Sequence, residues 1–370
     1  MQVASLQIAD FRNLAEVSLR PSPRTTVLVG DNGQGKTNLL EAIFFLTTLK
    51  PLRATRLAEL VRFGTERAQV SAEMEGPGGL RRIAVQVDGT GRTAWLDGKV
   101  QERLEGYFEG LAAVCFAPDD LLLVKGSPEG RRRFLDRAAF NRWPAVLSEA
   151  RDYLRALRSR NAALRTAGPD VEESFRDPLV RAGARLLVRR RDVVAELAPR
   201  VDLAFHQISG PGAPRAQISY RPAGGLDLEG SEQELAARYH AALAARCDRD
   251  RDRGFTSVGP HMDDLSLSLS GRPARTYGSQ GQQRALVLAL KISEIENIRA
   301  LLGRPPLLLL DDVSSELDPE KNRFLLAYLR SLDGQAFLTT TDARLLAPAA
   351  GSDTLFLRVD SGVVTGMNPQ

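Results

Sequence analysis

The stretch Gly30-Asp31-Asn32-Gly33-Gln34-Gly35-Lys36-Thr37 decides the fold of this 370-residue chain. It follows a short β-branched run, Thr25–Val29, and leads into Lys36–Leu46, whose apolar residues fall largely on one helical face. The pattern G-x-x-x-x-G-K-[ST] between a strand and a helix is typical of a phosphate-binding loop. Glycines let the backbone wrap around phosphates, and the helix N-terminus presents its positive dipole end to the anion. The sequence therefore predicts an α/β nucleotide-binding domain.

Two residues of this loop have an expected task in binding a nucleotide's phosphates. Lys36 is expected to reach the β- and γ-phosphates, and the Thr37 hydroxyl is expected to ligate Mg²⁺. The other candidate ATP-binding residues surround these two: Gly30, Asp31, Asn32, Gly33, Gln34, Gly35 and Asn38. A nucleotide with β- and γ-phosphates, bound with Mg²⁺, is therefore what the loop predicts.

A second motif, Leu307–Leu310 followed by Asp311 and Asp312, supplies the acidic residues that such a loop needs. The apolar run suits a buried parallel strand, and ligands of open parallel sheets sit at the carboxyl ends of the strands. Asp311 is expected to hold Mg²⁺, directly or through water, and Asp312 to orient or deprotonate the attacking water. The alternative is a strand that ends in a solvated acidic turn.

The composition indicates an ordinary globular chain. Hydrophobic residues make up 43% and charged residues 26%, and no apolar run approaches the roughly 20 residues that cross a bilayer. The N-terminal residues alternate polar and apolar and lack the apolar block of a signal peptide. Cys115 and Cys247 lie far apart in sequence, which fits a reducing compartment. We therefore expect a cytoplasmic protein without a membrane partner.

Positive charge is concentrated in the middle of the chain, although the formal net charge is only +4. Between Arg131 and Arg253 there are 24 arginines, 17 aspartates and glutamates and no lysine, a net of +7. The arginine content fits either the codon bias of a high-GC genome or phosphate recognition by the planar guanidinium. For this stretch a solvated helix face and a nucleic-acid-binding surface both stay open.

Three blocks of different patterning divide the chain. Residues 1–125 read mostly as strands, apart from the helix that follows the loop. Residues 126–254 have long stretches of helical periodicity, broken at Ala167-Gly168-Pro169. Residues 255–370 return to alternating strands and helices. The pattern predicts an α/β head in two chain segments with a mostly helical insertion.

Two further motifs in the last block resemble those of ABC-type ATPases. Tyr277–Arg284 reads YGSQGQQR and stands directly before a long amphipathic helix, as the signature motif of that family does. Ser315–Asp318 resembles the D-loop that follows the acidic strand. Other stretches are similar to the RecF family, an SMC-like branch that acts in DNA recombination and repair: Asp10–Asn13, Ala117–Asp120, Lys125–Pro128, Arg131–Asp136 and Gly259–Asp264.

The resemblance implies an ABC-type ATPase head with a mixed sheet. Residues 1–125, with the phosphate-binding loop, would form the N-terminal part of lobe I. Residues 255–370, with the signature, the acidic strand and the D-loop, would form its C-terminal part. Residues 126–254 would form an inserted helical lobe II with a short arm and no long coiled coil.

The same resemblance implies how ATP is used. In this family two ATP molecules are sandwiched in a head-to-tail dimer, so Ser279, Gly281 and Gln282 would act in trans. Lys36 and Asp312 would be the catalytic residues.

A biological role follows from the resemblance as well. It implies ATP-driven homodimerisation on double-stranded or gapped DNA, and weak, DNA-stimulated hydrolysis that releases the dimer. The role would lie in recombinational repair and replication restart after DNA damage, with RecO and RecR as partners that help load RecA.

Three departures from the ABC pattern limit this expectation. Asp312 stands where most ABC ATPases have Glu, so we expect slow hydrolysis. Thr339–Asp342 replaces the family's switch histidine, and Thr341 or Asp342 would take its part. No glutamine occupies Ala112–Asp120, where the Q-loop would fall.

A few residues have two readings from sequence. Arg12 either approaches the nucleotide or forms a buried ion pair at a strand end. Asp318 is a candidate only as part of the D-loop. His261, Asp263 and Asp264 suggest a metal or acid–base site, or else a structural role at the junction of the blocks or against a second subunit.

Three other functions were weighed against the DNA-binding ATPase. In a transporter subunit, the 273 residues between Thr37 and Asp311 would far exceed a compact ATPase core, and the insertion shows no obvious apolar docking face. A long-armed SMC protein needs hundreds of residues of heptads, which the insertion lacks. A non-hydrolysing DNA clamp would differ from the ATPase in showing no ATP turnover.

Overall fold

The computed structural model describes residues 2–53, 56–76, 78–102, 104–166, 169–313, 317–346, 351 and 353–367. Its strands are β1 (Gln2–Phe11), β2 (Leu14–Leu19), β3 (Thr25–Val29), β4 (Arg67–Gly76), β5 (Gly79–Asp88), β6 (Gly91–Leu96), β7 (Lys99–Val100), β8 (Ala113–Phe116), β9 (Ala216–Arg221), β10 (Asp264–Leu269), β11 (Arg272–Pro273), β12 (Leu307–Leu310), β13 (Ala336–Thr340), β14 (Thr354–Asp360) and β15 (Val363–Gly366). Its helices are α1 (Lys36–Thr48), α2 (Glu105–Phe108), α3 (Leu122–Lys125), α4 (Pro128–Arg142), α5 (Val146–Thr166), α6 (Pro169–Ser209), α7 (Glu232–Ala244), α8 (Cys247–Arg253), α9 (Ala274–Tyr277), α10 (Gln280–Leu302) and α11 (Pro319–Ser331).

The chain divides into two compact units. The sheet unit consists of Met1–Asp120 and Ile295–Gln370, and the helical unit consists of Leu121–Glu294. The sequence-based boundary at residue 254 differs from this division, because residues 255–294 group with the helical unit. There β10 pairs along its length with β9, and α4 packs against β10. The signature motif therefore lies in the helical unit rather than in the segment that carries the acidic strand.

A six-stranded sheet in the sheet unit positions the phosphate-binding loop. Its strand order is β15-β14-β3-β13-β12-β8, and all neighbours are parallel except the edge strand β15. All four residues of β12 and all five of β13 are buried, as expected for a parallel sheet covered on both faces. Because the strands are parallel, the segments after β3, β12 and β13 leave the sheet at one edge. The loop and the two aspartates therefore come together there.

The second sheet of this unit is antiparallel, in the order β2-β1-β4-β5-β6-β7. β4 and β5 alternate buried and exposed residues, which is the pattern of strands with one buried face. Asp97 and Gly98 join β6 to β7 with φ angles of 50° and 79°. Such positive φ values suit the tight hairpin turn that an Asp-Gly pair predicts.

Two long helices dominate the helical unit. α5 and α6 pack against each other, and α6 has 41 residues. The predicted break falls between them, although its residues 167–168 lie outside the described part of the chain. Inside this unit Arg160 is fully buried and contacts the carboxylates of Glu172 at 2.7 Å and Asp250 at 3.0 Å.

The expected α/β class, with a helical insertion and no long coiled coil, is confirmed.

Some elements were not expected from sequence. The clearest is β8, which runs beside β12 with Ala113 opposite Leu307 and Phe116 opposite Leu310. All four residues of β8 are buried, and so short an apolar run has no alternation to distinguish it from a buried helical turn.

Within the described residues, no helix has the length and apolar character needed to cross a bilayer.

Two helical glycines test the packing of the helical unit. Gly130 has open space around an added Cβ, so Gly130→Ala should raise the free energy of unfolding by about 0.5 kcal/mol. At Gly183 a Cβ would lie 2.5 Å from Tyr239 and 3.1 Å from Tyr153, so Gly183→Ala should lower it by about 1–3 kcal/mol. Urea-induced unfolding of both variants measures these changes. Equal effects at the two positions would contradict this packing.

Candidate functional site

The loop between β3 and α1 needs glycine at two positions. Gly35 precedes α1 with φ 116°, and a Cβ there would lie 2.8 Å from the side chain of Asn13. A Cβ on Gly30 would lie 2.2 Å from the carbonyl oxygen of Val359. Residues with a Cβ rarely adopt the first conformation and cannot fit the second site. The backbone is therefore shaped as the motif predicts.

Lys36 is held inside this loop. Its side chain is buried, and its Nζ donates to the carbonyl oxygens of Gly30 at 2.6 Å and Asp31 at 2.8 Å. Burial lowers the pKa of Lys36, while the nearby carboxylates of Asp312 and Asp311 act in the opposite direction. The ammonium group is thus a fixed cation at the loop, close to both predicted acidic residues.

Asp311 brings together the residues predicted to hold a metal ion. It is buried at the end of β12, and its Oδ1 accepts from the Thr37 hydroxyl at 2.7 Å. The same oxygen accepts from the Thr339 hydroxyl at 3.0 Å, and Oδ2 contacts the guanidinium of Arg53 at 2.7 Å. A hydroxyl and a carboxylate side by side are the oxygen ligands that Mg²⁺ prefers. Sequence reasoning paired Thr37 with Asp311 but missed Thr339 and Arg53.

Asp312 has an unusual backbone conformation. Its φ is 48°, and its N–H donates to the Thr339 hydroxyl at 2.8 Å. Asp, Asn and Gly adopt this left-handed region at lower cost than other residues, including Glu. The local backbone therefore favours Asp at the position where most ABC ATPases have Glu.

A buried carboxylate in α1 organises the segment that carries Arg53. Glu41 is 1% exposed, and its Oε1 accepts from the backbone N–H groups of Leu52 at 3.1 Å and Arg53 at 3.0 Å. Its Oε2 forms an ion pair with Arg12 at 3.0 Å. Of the two readings of Arg12, the ion pair at the strand end is therefore the one observed. A charged residue among the apolar positions of α1 was the signal available in the sequence.

Two turns hold the loop from outside. The side chain of Asn13 donates to the carbonyl of Gln34 at 3.2 Å and accepts from Asn38 at 2.8 Å. Ser361 donates its backbone N–H to the Gln34 side chain at 2.7 Å, and Gly362 donates to the Gln34 carbonyl at 2.8 Å. The predicted contacts Asn38 and Gln34 thus also carry structural hydrogen bonds, whereas Asp31, Asn32 and Gly33 are exposed.

The remaining candidates of the sheet unit occupy caps and turns. Thr341 is exposed directly after β13. Asp342 accepts from the Arg344 backbone at 2.9 Å, and hydrogen bonding to the Arg344 guanidinium lowers the pKa of Asp342. Asp318 caps α11 by accepting from the Lys321 backbone at 3.0 Å. Ser315 and Glu316 of the predicted D-loop lie outside the described residues.

The signature motif forms a capping box in the helical unit. The Gln282 backbone N–H donates to Ser279 Oγ at 3.2 Å, and the Ser279 backbone N–H donates to Gln282 Oε1 at 2.9 Å. This reciprocal pair fixes the first turn of α10, while Ser279 stays exposed and Gly281 is half-buried. The side-chain amide of Gln283 donates to the carbonyl of Gly278 at 3.1 Å. The turn that carries Ser279 is therefore rigid and faces outward.

His261 and the two aspartates after it have structural partners. His261 Nδ1 lies 2.6 Å from the Tyr153 hydroxyl, and burial lowers the pKa of this imidazole. Asp263 accepts from the Ala223 backbone at 2.6 Å and from a tyrosine hydroxyl, while burial raises its pKa. Asp264 forms a two-point ion pair with Arg131 at 2.6 and 3.0 Å. In the described part of the chain no three His, Cys, Asp or Glu side chains form a metal-binding group.

Comparison with known proteins gives the chain consistent relatives. The model of the RecF/RecN/SMC N terminal domain matches residues 2–361. The DNA replication and repair protein RecF of Anaeromyxobacter sp. (strain Fw109-5) is 72% identical over 99% of both chains. RecF of Myxococcus xanthus (strain DK1622) is 54% identical over 98% of this chain and 97% of the relative.

Solved structures agree with these sequence matches. The structure of the recombination mediator protein RecF with ATP, from the RecFOR pathway, superposes with a TM-score of 0.88 at 27% identity, covering 99% of this chain and 98% of the other. An Smc head bound to the C-winged helix domain of ScpA has a TM-score of 0.56 at 16% identity, with 99% and 97% covered. The latter likeness concerns the fold alone.

The buried carboxylate of Glu41 is open to a direct test. Glu41→Gln keeps the shape of the side chain but removes the charge that faces Arg12 and the Arg53 segment. We expect the free energy of unfolding to fall by about 2 kcal/mol, less than for a fully buried pair because Arg12 is partly exposed. Urea-induced unfolding measures this change. Glu129→Gln, at an exposed ion pair with Arg133 in the first turn of α4, is the control and should lower the free energy of unfolding by less than about 1 kcal/mol. Equal stability of the two variants would show that Glu41 does not organise this segment.

Proposed function

The chain belongs to the RecF family of ABC-type ATPases, and we propose that it is an ATP-dependent DNA-binding protein of recombinational repair and replication restart. The observation that carries this proposal is the Thr37–Asp311 contact of 2.7 Å beside the buried Lys36, at the end of a glycine-shaped loop. That arrangement fits a nucleoside triphosphate with its metal ion. The relatives are DNA replication and repair proteins, which favours this role and a cytoplasmic location over that of a transporter subunit.

ATP and Mg²⁺ fit the donor set of the loop. A Cβ on Gly30 or Gly35 would collide with Val359 or Asn13, so the loop conformation needs glycine at both positions. Loops of this conformation bind phosphate through their backbone N–H groups. Lys36 would neutralise the β- and γ-phosphates, and Thr37 and Asp311 would hold Mg²⁺. The metal ion, when bound, stabilises charge that develops on the phosphates. Gly33, Gln34 and Asn38, with the exposed Asp31 and Asn32, would complete the contacts to ATP.

Asp312 would orient or deprotonate the attacking water. It follows Asp311 directly, and Lys36 lies close enough to feel its charge. A shorter carboxylate in a left-handed backbone conformation reaches less far than Glu, so we propose a weak, DNA-stimulated ATPase. The exposed position of Thr341 directly after β13 suits a residue that senses the γ-phosphate. Asp318 would serve as part of the D-loop.

Ser279, Gly281 and Gln282 would act on the ATP of a second copy. The exposed Ser279 at the start of α10 offers its hydroxyl at the positive end of a 23-residue helix. Two such contacts would close a head-to-tail homodimer with ATP between the copies. The dimer would form on double-stranded or gapped DNA, and hydrolysis would release it. RecO and RecR would be its partners in loading RecA.

Binding and hydrolysis of ATP are separable by two substitutions. Lys36→Met should abolish ATP binding and dimerisation together, because it removes the cation of the loop. Asp312→Asn should keep both, because Asn accepts the left-handed backbone, and should slow hydrolysis by at least about a hundredfold. Calorimetry with ATP, sedimentation and phosphate release measure the three properties.

The outcome also distinguishes the rival functions. Loss of the dimer in Asp312→Asn would contradict the role given to this residue. If the unmodified protein shows no turnover with duplex DNA present, the non-hydrolysing clamp is the better description.

The trans role of the signature can be tested without breaking the helix cap. Ser279→Asp keeps an N-cap residue but places a negative charge where the partner's γ-phosphate would lie. It should bind ATP as a monomer and fail to dimerise, whereas Ser279→Asn, a neutral N-cap of the same size, should keep more of the dimer. Sedimentation with and without ATP gives the answer. A Ser279→Asp variant that dimerises normally would overturn the trans role.

A further inference from the structure

One face of α5 carries a row of exposed arginines. Arg151, Arg155 and Arg158 follow each other at spacings of four and three residues, which places them on the same side of the helix. Leu154, half exposed, lies among them. We call Arg151, Arg155 and Arg158 the α5 stripe.

The arginines of the α5 stripe form no ion pair within the described part of the chain. Within the described ranges, none of its three guanidinium groups forms a hydrogen bond or an ion pair with another side chain. Asp152 is exposed beside the stripe, and no ion pair joins it to these arginines. The stripe therefore presents three positive charges to the solvent.

Most arginines of the neighbouring helix α6 are paired, with the exposed Arg181 as an exception. On α6, Arg176 contacts Glu172 at 2.9 Å, and Arg189 contacts Glu149 at 3.3 Å. Buried Arg190 likewise lies 2.7 Å from an aspartate. Single exposed arginines without an ion pair also occur elsewhere in the helical unit, such as Arg181 and Arg249, so what distinguishes α5 is that three of them stand on one face of the helix.

Like charges at this spacing destabilise a helix, and solvated helix faces normally intersperse charges of both signs. An external polyanion would remove the repulsion. The stripe extends over about 10 Å of helix, since each residue rises 1.5 Å, and that length corresponds to about three base-pair rises along the axis of duplex DNA. Guanidinium groups bind phosphate oxygens through two parallel hydrogen bonds.

We infer that the α5 stripe contacts the phosphate backbone of duplex DNA. Single-stranded DNA is a weaker fit, because its binding surfaces use exposed aromatic side chains for base stacking. On α5 the aromatic residue Tyr153 is 2% exposed. Backbone contacts position a protein on DNA without reading sequence, so the stripe would bind duplexes of any sequence. This inference rests on the proposed function, which leaves the DNA-contacting residues unassigned.

A matched pair of triple variants tests the stripe. The test variant is Arg151→Gln, Arg155→Gln and Arg158→Gln. The control is Arg82→Gln, Arg133→Gln and Arg215→Gln, which removes the same charge from side chains that are 71%, 75% and 72% exposed but paired. Fluorescence anisotropy of a labelled duplex of about 30 base pairs, with ATP and at several salt concentrations, measures binding by both variants and the unmodified protein.

The expected result is a change in salt dependence. Each lost phosphate contact lowers the slope of log K against log salt by about 0.9, so the test variant should lose about 2–3 units of slope and at least tenfold in affinity at low salt. The control should keep the slope of the unmodified protein. Urea midpoints of the test variant should be equal or higher, because a repulsion has been removed, which separates lost contacts from unfolding.

The possible results distinguish failure of the stripe inference from failure of the proposed function. If the unmodified protein binds duplex DNA and the test variant keeps its slope, the stripe inference is overturned while the proposed function stands. The stripe inference is likewise overturned if the test variant loses binding to single-stranded DNA but not to duplex DNA. It is also overturned if the test variant binds DNA normally but no longer binds an acidic protein. If the unmodified protein binds no duplex with ATP, the proposed function itself fails, and the stripe inference falls with it.

Discussion

The carboxylate of Asp311 connects three segments that are far apart in the sequence. Thr37 comes from the first turn of α1, Thr339 from β13 and Arg53 from the segment after α1. Because Asp311 is 2% exposed, its oxygens need these partners to offset lost hydration. The position of the Asp311 carboxylate depends in turn on the register of β12 between β8 and β13, since a slip of one residue would turn it to the other face of the sheet.

Charged side chains of this molecule fall into two groups, which differ in burial and in pairing. Several buried charges are paired, as with Glu41 and Arg12 beside the site and with Arg160 between two carboxylates in the helical unit. Such pairs hold segments in place, because an unpaired charge at these depths would be costly. The α5 stripe has the opposite character, exposed and without a partner in the described chain. This contrast distinguishes charges that shape the fold from charges available to a ligand.

Motifs and periodicity in the sequence predicted the elements whose structure depends on residues close together in the chain. The loop, α1, β12 and the pairing of Thr37 with Asp311 follow from spacing and from the common edge of a parallel sheet. The stretch Thr339–Asp342 was noted for Thr341 and Asp342, but the contact of Thr339 with Asp311 was missed because it depends on the pairing of β12 with β13. Arg53 was missed because its contact with Asp311 joins residues far apart in the sequence. The boundary at residue 254 differed for a related reason: β10 alternates like any half-buried strand, and periodicity does not reveal that its partner is β9. The arginines of α5 were noted only as part of a basic block, since exposure and pairing require coordinates.

The order of strands in the parallel sheet has a consequence for synthesis on the ribosome. β3 carries the phosphate-binding loop, yet both of its neighbours, β13 and β14, are made about three hundred residues later. At about 5–20 residues per second, the nascent β3 waits roughly 15–60 s for its partners. The helical unit, by contrast, lies in one uninterrupted stretch and can fold while the rest of the chain is being translated. A nascent chain would thus acquire its helical unit first and its nucleotide pocket last, with an apolar strand in the meantime needing protection from aggregation.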